Sequence, residues 1–89
     1  MSLSQAFSSS SPVPLTGFVG PANRLQFWNT DATNIIDGYV NGENSPSFTI
    51  PPSGTFVLER LNSNINQISL ASPSSSSVTV CWGYQLKPG

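Results

Sequence analysis

The sequence predicts an all-β protein: a small antiparallel β-sandwich or jelly-roll-like barrel with an extended N-terminal arm. Three observations predict it. After residue 22, apolar and polar residues alternate through most of the chain. Clusters of Gly, Pro, Asn, Asp and Ser interrupt the alternation roughly every 8–12 residues. No stretch repeats its apolar residues at helical spacing.

Residues 1–22 form the arm. Pro12, Pro14 and Pro21 block helix and favour extended backbone, and Ser8 to Ser11 make an uninterrupted polar run. Yet Leu3, Phe7, Val13, Leu15, Phe18 and Val19 give the arm more large apolar residues than a free linker carries. Such spaced side chains read as anchors that fit pockets. Two fates are open: docking on a partner chain, which is the preferred reading, or folding back on the same domain as an added strand. On the first, Leu3, Phe7, Val13, Leu15 and Phe18 are partner-binding residues, and removing residues 1–20 leaves the β-domain folded.

Residues 23–89 form the sandwich domain. RLQFW places Leu25 and Phe27 on one face of a strand and Gln26 and Trp28 on the other. NTDATN is turn-like, and NIIDGYVNGEN reads as a short strand closed by Asn41-Gly42. SFTIPPSGTFVLERL is the clearest unit, with two alternating runs around Pro51-Pro52-Ser53-Gly54. NINQISLAS and VTVCWGYQL supply the last two strands, separated by a Ser-rich loop. About six strands result, and those joined by short links are expected to be antiparallel neighbours. The expected core is Phe27, Ile36, Phe48, Ile50, Phe56, Leu58, Ile68, Leu70, Val80 and Trp82.

Several strands are apolar on both sides. Phe27–Trp28, Ile35–Ile36 and Phe56–Val57–Leu58 cannot all point one way in a flat strand. Either a bulge turns both members inward, or a neighbour covers the outer face. Trp28 is therefore a further partner-binding candidate, with core packing and ligand stacking as its other possible roles.

Composition points to company. At 89 residues the chain is a single domain that buries only about 60% of its unfolded surface. Cys81 is the lone cysteine, so no intrachain disulfide helps, and there is no histidine. Homo-oligomerisation or a partner is the remaining supplement. Charged residues make up 8% of the chain and the net charge is −1, against about 25% charged in ordinary domains. Sixteen serines carry much of the polar surface. Such a surface enters an interface without stripping water from ions, and it cannot grip a phosphate backbone, which argues against nucleic acid. No apolar run is long enough for a membrane helix, and the N-terminus lacks signal-peptide features, which points to synthesis in the cytoplasm.

No catalytic constellation is present. A nucleophile–histidine pair is impossible without histidine. Cys81, between Val80 and Trp82, reads as a buried inert thiol. Asp31 and Asp37 flank a turn and read as backbone caps rather than as an acid–base pair. The acidic loops lack calcium-loop spacing, and the glycines match no nucleotide motif. No enzyme, metal or cofactor is expected.

The run from Asn23 to Gln85 resembles small β-proteins of tailed-phage virions. The resemblance lies in Asn29 at a strand end, the Val40-Asn41-Gly42 turn, Ile50 to Leu58, Ile65 to Leu70, and Val78 to Tyr84. It covers about two-thirds of the chain and leaves the arm outside. It implies a capsid cement, decoration or head–tail accessory subunit, located in the virion and partnered by the major capsid protein or other virion subunits. No catalytic residues transfer. Two other readings stay open. One is a carbohydrate-binding module with Trp28, Tyr39 or Tyr84 as a sugar platform. The other is a subunit of a tail or other assembly.

Overall fold

The computed structural model describes residues 3–59 and 65–86. They form eight strands: β1 (Leu3–Phe7), β2 (Val13–Pro14), β3 (Ala22–Asn29), β4 (Ile36–Val40), β5 (Phe48–Ile50), β6 (Thr55–Glu59), β7 (Ile68–Ala71) and β8 (Val78–Leu86). Two four-stranded sheets result, ordered β1-β8-β3-β6 and β2-β7-β4-β5, with every pairing antiparallel. This is the jelly-roll order: the chain runs as one doubled ribbon, first strand against last, rolled into two sheets.

The arm is not an appendage, which corrects the expected boundary at residue 22. Leu3 to Phe7 pair in register with Trp82 to Val78, and Val13 and Pro14 pair with Leu70 and Ser69. The arm thus supplies one edge strand to each sheet. Without β1, the ladder groups of β8 that face away from β3 would lack partners. The supposed anchors serve their own domain. Phe7 and Leu15 are buried, and Leu3, Val13 and Phe18 pack against the core. The serine run is the crossover between sheets, held where the Ser72 N–H donates to the Ser9 carbonyl at 2.8 Å. Gln5 braces it further, its amide donating to the Pro14 carbonyl (3.2 Å) and accepting from the Thr16 N–H (2.7 Å).

Consecutive strands are not generally neighbours, a second correction. Among the eight, β4–β5 is the one hydrogen-bonded consecutive pair; the other links cross between sheets. The β4–β5 link opens on Asn41 (φ 52°) and Gly42 (φ 74°), the left-handed conformations their types tolerate. Pro51 to Gly54 do turn the chain, closed by the Gly54 N–H on the Pro51 carbonyl at 3.0 Å, but they carry it from β5 in one sheet to β6 in the other. Proline has no N–H for a hairpin ladder. Here the turn instead packs on its neighbours, with the Ser53 N–H on the Asp31 carbonyl and the Asn29 N–H on the Gly54 carbonyl.

Nine of the ten expected core residues are buried, with Phe56 half-buried at the margin. The core also holds Phe7, Leu15, Ala22, Leu25, Val40, Ile65 and Val78. Phe48 joins the sheets at one side, its ring centroid 5.3 Å from Phe27 and stacked 4.8 Å from Phe56. On the other side Phe18 meets Tyr84 and Trp82 edge-on, at 5.0 and 6.3 Å. Ordinary alternation settles the doubly apolar stretches: Ile36 and Leu58 point in, while Ile35, Trp28 and Val57 remain exposed.

Candidate binding face

The outer face of the β1-β8-β3-β6 sheet collects the exposed apolar side chains of β3 and β6. Because β3 alternates, burying Leu25, Phe27 and Asn29 turns Arg24, Gln26 and Trp28 outward. The register sets their neighbours. Trp28 stands between Thr55 of β6 and Cys81 of β8. Gln26 stands between Val57 and Gly83, and Arg24 between Glu59 and Gln85. Trp28 is 51% exposed and Val57 46%.

Gly83 has no side chain to raise above the sheet, so the middle of this face dips. A hollow of about 630 Å³ opens there, walled by Trp28, Val57, Gln26 and Arg24. The side chains of Gln26 and Gln85 bond to no described residue. The Arg24 Nε is shielded and has no acceptor among the described residues. Arg24 and Glu59 oppose each other, so the charges among the described residues of this face cancel.

Sequence reasoning brought six residues forward as partner-binding, and the structure does not gather them. Leu3, Phe7, Val13, Leu15 and Phe18 lie inward on their own sheets; Trp28 alone is on the outer face. Gln26, Val57 and Gly83 were missed as a group, because only cross-strand register places them beside Trp28. Of the candidate sugar platforms, Tyr84 points inward and stacks with Trp82 at 5.9 Å. Tyr39 lies on the opposite sheet, paired with Ser69.

The acidic residues sit elsewhere. Asp31 Oδ1 accepts the N–H groups of Thr33 (2.7 Å) and Asn34 (2.8 Å), with the Asn34 amide at 3.3 Å. These bonds favour the carboxylate and hold its pKa below the ordinary aspartate value, chiefly through the Asn34 N–H, then the Thr33 N–H, then the Asn34 side chain. Asp37 accepts from the Thr49 hydroxyl at 3.2 Å. Cys81 corrects another expectation: alternation turns it to the outer face, half-buried beside Trp28. No group of three or more metal-ligating side chains occurs among the described residues.

No family model matches this chain, and no curated protein matches it. Among solved structures it is similar to the crystal structure of PirA, at 10% identity and a TM-score of 0.54, covering 94% of this chain and 93% of that one. A likeness at that identity speaks for the β-sandwich and not for what it does.

Proposed function

We propose that this chain is a non-enzymatic structural protein of a tailed-phage virion, a decoration subunit seated among capsid proteins. The resemblance of residues 23–85 supports the setting. The observation that carries the reading is a complete eight-strand roll whose described residues include only five ionisable Asp, Glu or Arg side chains: Arg24, Asp31, Asp37, Glu43 and Glu59. A stable protein contact takes about 800 Å² from each partner. The described surface, 4864 Å² in all, can yield that area with little loss of ion hydration.

With the arm folded into the sheets, attachment passes to a sheet face. The outer face of β2-β7-β4-β5 suits it. Pro14, Tyr39 and Thr49 present side chains there on either side of Ser69 and Ala71, which are themselves buried, and Asp37 is already engaged by Thr49. Quantitative mass spectrometry of purified virions from the encoding genome tests the setting. The reading expects the chain at a fixed ratio to the capsid protein; its absence from virions overturns the reading. Tyr39→Arg is expected to release the subunit from particles while the isolated domain stays folded.

A further inference from the structure

We propose that the hollow on the opposite sheet binds a neutral oligosaccharide, one pyranose ring stacked on the Trp28 indole and the hydroxyls of the chain hydrogen-bonded by Gln26, Gln85 and Arg24. This goes beyond residence in a virion and does not depend on it.

Size fits a small ligand. A hollow of about 630 Å³ lies within the roughly 300–1,000 Å³ of small-ligand sites.

Chemistry narrows the class. A pyranose ring presents C–H groups on its face and hydroxyls around its rim, so it needs an exposed aromatic plane edged by donors and acceptors. Trp28 supplies the plane. Gln26 and Gln85 supply amide donors and acceptors with no partner among the described residues, and Arg24 supplies the donors of its guanidinium beside them. These groups surround the side-chain-free Gly83, so a ring resting on Trp28 can extend across the dip. Arg24, Gln26 and Trp28 recur along β3 at steps of roughly 6.8 Å, which favours a short chain of rings over one. Charge fixes the last choice. Arg24 faces Glu59 across the register, so the charges among the described residues of the site cancel, which suits an uncharged glycan over an acidic one.

The experiment uses the full chain. A printed glycan array screens for ligands, and hits are titrated as free oligosaccharides, with maltotetraose, cellotetraose and chitotriose included and a polygalacturonate oligomer as the acidic arm. Calorimetry measures the affinity of every variant, and tryptophan fluorescence reads the site in the native chain, because the other tryptophan, Trp82, is 3% exposed. The expected result is saturable binding of a neutral oligosaccharide, about tenfold or more weaker in Trp28→Ala and weakened to a lesser degree in Gln26→Ala. Both positions are exposed, so both variants fold. No binding on the array, binding of acidic sugars alone, or affinity unchanged in Trp28→Ala overturns the inference. A fluorescence response to capsids without one to saccharides also overturns it, and leaves the proposed function standing.

Discussion

Gly38 and Phe48 occupy one another's space across the β4–β5 ladder: a β-carbon on Gly38 would fall inside the Phe48 ring. The absent side chain is what lets that ring lie flat enough to meet both Phe27 and Phe56. Gly38→Ala is expected to destabilise the fold by about 1–3 kcal/mol through overpacking. Shrinking the ring in the double variant Gly38→Ala/Phe48→Leu is expected to cost less than the two single changes summed. Urea denaturation of the four proteins in a double-mutant cycle measures the coupling.

Removing β1 and β2 is expected to unfold the protein. Phe7, at 1% exposure, is the most informative single position, and Phe7→Ala is expected to cost about 3–5 kcal/mol. A domain of this length has on the order of 4–13 kcal/mol in total. Loss of residues 1–14 is therefore expected to abolish the cooperative urea transition. A truncated chain that still unfolds cooperatively would contradict the pairing of Leu3 to Phe7 with β8.

Asn29 is fully buried, and its side chain ties three segments together. Its amide donates to the Asn34 carbonyl at 2.8 Å and to the Ile50 carbonyl at 3.4 Å, and its oxygen accepts the Asp31 N–H at 2.9 Å. Asn29→Ala leaves those groups unpaired, and the expected loss is about 1–3 kcal/mol for each buried group stranded. Hydrogen exchange at Asp31 is expected to speed up before global unfolding does.

Asp31 should make the 31–34 turn acid-sensitive. Its folded pKa is below 3.8, so the unfolded chain binds the proton more readily. The stabilisation is complete above the unfolded value and is lost as pH falls through the folded one. Asp31→Ala is accordingly expected to melt at a lower temperature than the native chain at neutral pH, and the two melting curves are expected to converge in strong acid. Calorimetry across that range checks both the sign and the window.

Trp28→Ala is expected to change stability by no more than about 0.5 kcal/mol, since half the indole already meets solvent. A large loss in thermal melting would place Trp28 in the packing of the sheet rather than on a binding face.

Alternation made the strand interiors legible. Leu25 and Phe27 against Gln26 and Trp28, or Val80 and Trp82 against Cys81, fall on the faces that period two assigns. The register between strands was not legible, and neither was the sheet to which each belongs. Nothing local in Leu3 to Phe7 says that its partner lies near residue 80, because that pairing rests on contacts made almost a full chain length away. The prolines made the arm look detached, whereas Pro14 sits in an edge strand, where a missing N–H is tolerated. The hollow was hidden for the same reason. Trp28 stood out alone, but Gly83, Gln26 and Val57 become one surface only when β8, β3 and β6 lie side by side.

Pairing the first strand with the last has a mechanical corollary. β1 and β8 run antiparallel, with Leu3 beside Trp82, so both ends of the described chain leave from the same end of the molecule. Tension applied between those ends would load the rungs one after another, like a zip, instead of shearing them together. The roll should therefore yield to weak pulling from its tips while resisting a load spread across its sheets.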